Sequence, residues 1–442
     1  MTAISDSPVN DKSASTQDNH EYQGQTAISP FNALDKYLSI PTNDQKQWWQ
    51  LTGSLLGRML RSAQYPVDQQ YQYLTFFDRH IAPRLGPYPP RFRSSITVSG
   101  QPIELSINYQ QYGPTQPVVR IGFEALDTHS GTERDPFNQL PASGLISSLS
   151  SLGLKGFDPA LFFYFGHRHT VNVEEKAQLQ GPLASRVRVK SQHGFGADLK
   201  NGTVLVKGYT FPGLKTVASG QSMSSLMTDS IFHLPEANPG QGQTCRDAWA
   251  VIDDYLSEVN GYNDLHLFSW DYVAPSNSRL KFYAVSIDLT WRKVQEVWTL
   301  NHRTATHAPT MQGLIYLRQL WDFIKPGASE RELPEDRPAH VKDNETPLLW
   351  NYEMTPGSAV PLAKLYFSLH GVSDLDCARN LARFFEAVGW EELATGYLDT
   401  VKSYFPGYDL SKTSHLIMWV SFAYSEKTGV YLSVYYHSSG NV

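Results

Sequence analysis

The spacing of polar and apolar residues changes period repeatedly along this chain. Over 47–63 (QWWQLTGSLLGRMLRSA) and 68–86 (DQQYQYLTFFDRHIAPRLG) apolar residues recur every three to four positions, which predicts amphipathic helices. The tract LGPYPPRFRS, with its three prolines, ends that pattern. Segments of period two follow, the spacing that sends successive side chains to opposite faces of a strand. They are SSITVSG (94–100), PIELSINYQ (102–110), PVVRIGFEAL (117–126), GFGADLK (194–200), VLVKGYTF (204–211), LHLFSWDYV (265–273), RLKFYAVSI (279–287), LLWNYEM (348–354), AKLYFSLHG (363–371), LIMWVSFAYS (416–425) and VYLSVYYHS (430–438). Helical patterns lie near 219–234, 244–259, 290–298, 309–324, 373–401 and 411–416, and the acidic, proline-bearing stretch 327–346 reads as a surface loop.

The order is repetitive: helical material, a pair of strands, helical material, another pair. Short turns such as the Asn-Gly of DLKNGTVLV make the pairs antiparallel hairpins. No linker divides the eight to ten strands, so the class is α+β with one large sheet. One face carries Val206, Leu280, Phe282, Leu365, Phe367, Leu432 and Val434 and is expected to meet the helices. The other face carries Arg, Lys, Tyr, Glu and Ser. It is either solvated or the lumen of a closed barrel, since closure removes the exposed edges of an open sheet. Such a lumen would be polar, unlike the filled apolar centre of a parallel eight-stranded barrel.

Five cations share that polar face: Arg120, Lys207, Arg279, Lys281 and Lys364. Like charges so placed repel unless an anion joins them, and a diphosphate accepts many charge-assisted hydrogen bonds from Arg and Lys. Tyr209, Tyr283, Tyr366, Tyr431 and Tyr435 lie on the same face. Their hydroxyls can hold phosphate oxygens, and their rings can stabilise a carbocation and exclude water. An allylic diphosphate is a substrate that needs both. For any one of these residues taken singly a solvated sheet face is the better reading; the set of five cations with neighbouring tyrosines favours the anion site. Glu104, in GQPIELSIN, shares a face with Ser106 and Asn108. It serves either as a salt-bridge partner or as the acceptor of an indole N–H, which would orient the ring and enrich it in electrons.

Composition narrows the alternatives. The chain has 442 residues and a formal net charge of −6, which opposes wholesale nucleic-acid binding and makes any cationic cluster local. Two distant cysteines, Cys245 and Cys377, offer no zinc spacing. Asp253 and Asp254 lack the further aspartate of a DDxxD motif and read as a helix surface, so these residues offer no magnesium motif. There is no phosphate-binding G-x-x-x-x-G-K-[ST] loop and no GxSxG elbow. No apolar stretch is long enough to span a membrane, and residues 1–30 read as a disordered polar tail without a signal peptide. A cytoplasmic enzyme or binding protein, monomer or homodimer, is expected.

The pieces LGPYP, GQPIELSIN, VVRIGFE, DPFN, VLVKGYTFP, SRLKFY, VWTL, PLAKLYFSLHG, WVSFAYS and YLSVYYHS, in this order and spacing, resemble the fungal aromatic prenyltransferases of the dimethylallyltryptophan synthase type. The resemblance covers roughly 32–438, and 31–438 is expected to form a single domain. It implies a ten-stranded antiparallel barrel with a solvent-accessible lumen, ringed by helices in ααββ repeats. It also implies dimethylallyl diphosphate as co-substrate and no cofactor or essential metal. Carried over by motif, Glu104 would bond the indole N–H. Arg120, Lys207, Arg279, Lys281 and Lys364, with Tyr209, Tyr283, Tyr366 and Tyr435, would hold diphosphate. Those four tyrosines and Tyr431 would shield the allyl cation.

Three positions depart from the relatives. Lys364 stands where some have glutamine, which also donates hydrogen bonds to phosphate. Gly194 stands where members acting on free tryptophan have a lysine, and Gly122 where they have a threonine. Together with Glu104, both glycines are assigned to the acceptor pocket, where their lack of a side chain would leave volume. The stretches PTNDQKQWWQLTGSLL and SVYYHS look most like members that prenylate brevianamide F (cyclo-Trp-Pro) in reverse at indole C2. Free tryptophan or another aromatic acceptor, attack at C3, and a non-enzymatic anion carrier are the alternatives.

Overall fold

The computed structural model describes residues 28–113, 116–179, 187, 189–235, 240, 242–262, 267–324, 330–333 and 346–438. Most of the expected tail, and most of the loop expected at 327–346, lie outside the described residues. The helix Pro30–Tyr37 begins within the last residue assigned to the tail, with Ser29 Oγ accepting the Asn32 N–H at 3.3 Å.

Ten strands close into one antiparallel barrel in which each pairs with its chain neighbours and the first pairs with the last. They are β1 (Ile103–Gln110), β2 (Val118–Phe123), β3 (His193–Lys200), β4 (Thr203–Thr210), β5 (Leu267–Asp271), β6 (Leu280–Ser286), β7 (Leu348–Met354), β8 (Leu362–Ser368), β9 (Ile417–Ser425) and β10 (Gly429–Tyr436). The lumen alternative, not the solvated sheet, is the one the chain adopts. Strand β2 joins β3, β4 joins β5, β6 joins β7 and β8 joins β9 through helix-bearing connections. The other five connections are short and antiparallel geometry puts them all at the opposite end of the barrel. The β3–β4 turn shows why: Asn201 and Gly202 take φ of 53° and 69°, the left-handed pair that a two-residue hairpin requires.

Outward-facing strand residues pack under the helices. Val206, Phe282, Leu365 and Val434 are all buried, each contributing about 1.5–3 kcal/mol of apolar transfer where burial is complete. The helix Gln243–Glu258 buries Ala248, Trp249, Ile252, Tyr255 and Leu256, the stripe its three-to-four spacing predicts, and Trp249 meets Phe282 edge-on at 5.3 Å.

Several local expectations differ. The pattern at 373–401 forms two helices, Asp374–Ala387 and Glu391–Tyr404, because Gly389 turns the chain at φ 80° between them. Residues 411–416 form no helix; Leu416 and Ile417 N–H groups instead donate to the buried Asp374 carboxylate. Helices Leu140–Ser150, Ala160–His169 and Val173–Gln178 form where the sequence pattern predicts none. The predicted strand 94–100 is a compact loop closed by its own bonds, Ser94 N–H to Gly100 O at 3.0 Å and Thr97 Oγ1 to Gln101 O at 2.7 Å. It finds no neighbouring strand because β1 already pairs on both sides, with β2 and β10.

Candidate active site

Because strands alternate direction, inward residues from all ten sort into two layers. Toward the helical-connection end lie Glu104 and Gly122, then Tyr209, Tyr283, Tyr366 and Tyr435. They line a cavity of about 430 Å³ together with Trp419, Leu349 and the loop 94–98. Toward the short-turn end lie Arg120, Lys207, Arg279, Lys281 and Lys364, from strands β2, β4, β6 and β8 and the residue preceding β6.

The four cavity tyrosines form a continuous arc. Ring centroids of Tyr209 and Tyr283 are 6.2 Å apart, those of Tyr283 and Tyr366 6.1 Å, and those of Tyr366 and Tyr435 6.1 Å. Asn351 Nδ2 donates to the Tyr366 hydroxyl at 2.9 Å. Burial raises the Tyr209, Tyr366 and Tyr435 phenols above their ordinary range, so all three keep their protons. Tyr431 stands apart from the arc. Its hydroxyl accepts from Arg120 Nη2, and its ring lies 5.4 Å from the Arg120 guanidinium and 5.0 Å from Lys364 Nζ.

The five cations are not left to repel one another. Asp198 lies 2.6 Å from Lys207 Nζ and 3.3 Å from Arg120 Nε; Asp271 lies 2.7 Å from Arg279 Nε; Glu353 lies 3.4 Å from both Arg279 Nη1 and Lys281 Nζ. Five positive and three negative groups leave this belt with two net positive charges. The expectation that only an arriving anion could reconcile the cations is corrected by these three carboxylates. Their signal was present in the strand segments, at inward positions of GFGADLK, LHLFSWDYV and LLWNYEM. Burial alone would raise Asp271, but Lys281 and Arg279 hold it down to about 2. Burial lowers the Lys207 ammonium to about 8, with Asp198 opposing that shift and Arg120 and Lys281 adding to it. Lys364 has no carboxylate within ion-pairing distance among the described residues. Burial and then Arg120 push its ammonium well below the ordinary lysine range.

Glu104 makes no hydrogen bond among the described residues, and desolvation alone lifts its carboxyl to about 8. Half-buried and lining an aromatic cavity, this group can accept a proton donor once it ionises. The two glycines assigned to the acceptor pocket behave differently from expectation. A Cβ on Gly122 would lie 3.3 Å from Glu104 Cγ, so the room there belongs to Glu104. A Cβ on Gly194 would lie 2.8 Å from Ile96 Cδ1, so a loop residue already fills that volume.

Asp253 and Asp254 sit on the outer helix, bonded to Tyr262 and Arg303 respectively. Among the described residues no group of three or more His, Cys, Asp or Glu side chains gathers into a metal-binding cluster, and no helix is long and apolar enough to cross a membrane.

A family model described as tryptophan dimethylallyltransferase matches residues 44–400. The chain is 47% identical to the tryptophan dimethylallyltransferase nptA of Emericella nidulans, over 94% of this chain and 95% of that protein. It is 40% identical to the deoxybrevianamide E synthase notF of Aspergillus sp. (strain MF297-2), over 93% of this chain and 91% of that protein. The crystal structure of NotF in complex with brevianamide F and DMSPP superposes with a TM-score of 0.84 at 39% identity, covering 94% of this chain and 100% of that one.

Proposed function

This chain belongs to the tryptophan dimethylallyltransferase family, and on that premise we propose that it transfers the dimethylallyl group of dimethylallyl diphosphate to the indole of a tryptophan-containing cyclic dipeptide, brevianamide F, in reverse at C2. The observation that carries the reading is the layering: Glu104 and an arc of tyrosine rings share one cavity directly beside a cationic belt. The structure of a relative bound to brevianamide F, at 39% identity, supports the choice of acceptor.

In this reading Arg120, Lys207, Arg279, Lys281 and Lys364 hold diphosphate, helped by the hydroxyls of Tyr209, Tyr283, Tyr366 and Tyr435. The C–O bond breaks with its electron pair going to diphosphate, whose growing charge the belt offsets. The allyl cation remains against the rings of the arc, which attract it and keep water away. Glu104 accepts the indole N–H and stabilises the positive charge that builds on the ring as its C2 attacks the tertiary end of the allyl cation. The C2 proton passes to a base, for which Glu104, a water and the departed diphosphate are the candidates, and its two C–H electrons restore aromaticity. The barrel unit spans 31–438, and the reading includes a cytoplasmic enzyme without nucleic-acid partners.

A panel of brevianamide F, other tryptophan-containing cyclic dipeptides and L-tryptophan, each with dimethylallyl diphosphate, tests it, with NMR of the product to locate the new bond. Turnover of L-tryptophan alone sinks the acceptor assignment. That second reading is favoured by the 47% identity to a relative named for tryptophan.

A further inference from the structure

We infer that Glu124, which does not line the cavity, is a positioning residue: it clasps the loop wall of the acceptor end to the barrel rim and thereby sets acceptor affinity and the point of attack. The inference rests on the proposed function for what the wall contacts, and on geometry for the clasp itself.

Glu124 immediately follows β2 and is fully buried. Its Oε2 accepts Ser94 Oγ at 2.5 Å, Ser191 Oγ at 2.7 Å and the Ser95 N–H at 3.3 Å. Its Oε1 accepts Asn138 Nδ2 at 2.7 Å. One carboxylate thus draws together three segments that are distant in sequence. Two of them supply cavity wall, at Ser94, Ser95, Val189 and Lys190. Asn138 is itself held in place, at φ 52°, by its Nδ2 bond to Ala125 O and by the Ser130 hydroxyl on its Oδ1. Among the described residues no lysine or arginine pairs with Glu124, so hydrogen bonds alone satisfy it. A buried carboxylate kept this way is costly to retain. Burial raises it to about 7, while the bonds from Ser94, Asn138 and Ser191 pull the other way. A barrel needing only stability would fill this site with an apolar side chain. The clasp supplies something else, a fixed position for a loop that belongs to no sheet.

Ile96 is what that position delivers. It projects from the clasped loop and places Cδ1 where a side chain on Gly194 would begin. At the Gly194 position the wall is therefore carried by the loop, with Phe195 the β3 residue that lines the cavity beside it. Displacing the loop moves Ile96 and the acceptor, while the cationic belt at the other end keeps its own ion pairs.

The test compares wild type with E124Q and S94A. E124Q keeps the volume but points an amide NH₂ at converging donors, and S94A leaves the fold but removes two bonds, the one the hydroxyl donates to Glu124 and the one it accepts from the Ile96 N–H. Amide hydrogen exchange over 93–98 and 189–192 is expected to quicken about tenfold or more in E124Q and less in S94A, with β4 and β6 unchanged. The KM for brevianamide F is expected to rise about tenfold with altered C2 and C3 product proportions, while the Kd for inorganic pyrophosphate stays within about twofold. Unchanged exchange in both variants, or acceptor KM and pyrophosphate Kd rising together, overturns the clasp. Should wild type leave brevianamide F unconverted, the acceptor assignment falls, and the exchange measurement still decides the clasp.

Discussion

Gly122 lies directly opposite Glu104 across the β1–β2 ladder, and a Cβ built on it would stand 3.3 Å from Glu104 Cγ and 3.4 Å from Oε1. The glycine is the space in which the carboxyl turns. Both residues face the cavity, so a side chain at 122 acts on the acceptor through Glu104 before it touches anything else. The G122T variant is expected to fold, to bind pyrophosphate normally, and to lose about 10- to 100-fold in turnover with a changed C2 to C3 product ratio. NMR of the products and steady-state kinetics check this. Unchanged products at unchanged efficiency would remove Gly122 from acceptor control.

Glu104 itself is expected to be needed for its charge. E104Q keeps the shape and can still accept a hydrogen bond, but it cannot balance positive charge on the indole. A fall of about 10²–10³ in kcat is expected, with pyrophosphate Kd unchanged. Removing a desolvated, unpartnered carboxylate should leave Tm equal or higher. Near-wild-type turnover would reduce Glu104 to a wall residue.

Two groups titrate near the same pH with opposite consequences. Glu104, raised to about 8 by burial, gains its charge as pH rises through that value, so acceptor kcat/KM should climb toward pH 8. Lys207, lowered to about 8 by burial, loses its charge over the same range, so pyrophosphate binding by the free enzyme should weaken above it. Calorimetric Kd values for pyrophosphate from pH 6.5 to 9.5, set beside acceptor kcat/KM, separate the two limbs. A pyrophosphate affinity that strengthens with pH contradicts the assignment of Lys207.

Asp198 competes with any anion for Arg120 and Lys207, to which it is 3.3 and 2.6 Å away. D198N raises the belt from two to three net positive charges. Pyrophosphate should bind about three- to tenfold tighter, and kcat should fall if release of diphosphate limits turnover. Weaker binding in D198N would mean that Asp198 organises the cations more than it competes with their ligand.

Five cations converging on one site offer the charge neutralisation that a metal ion would otherwise supply. Excess EDTA is therefore expected to leave most of the activity intact. Near-complete loss of turnover, restored by magnesium, would disprove this.

Strand identity and facing were legible in the sequence because period two is a local property. Leu280 and Phe282 could go only to the helix side once Arg279, Lys281 and Tyr283 shared the other face. The motif order carried the family and, with it, Glu104, the cations and the tyrosines. Three features rest on tertiary structure and on no local pattern, though the family resemblance implied the first of them. Barrel closure depends on β1 meeting β10, more than three hundred residues apart, and no local pattern encodes that pairing. The two lumen layers depend on register: Asp198 stands opposite Arg120, and Asp271 opposite Lys207, only after the strands are aligned. The segment 94–100 has the alternation of a strand but becomes a loop, because both edges of β1 are taken and Glu124 offers its serines better bonds. Alternation tells a chain which way its side chains point; which partner they meet is settled by long-range geometry, since hydrogen-bonding groups and charges are satisfied by whatever the closed barrel brings within three ångströms or so.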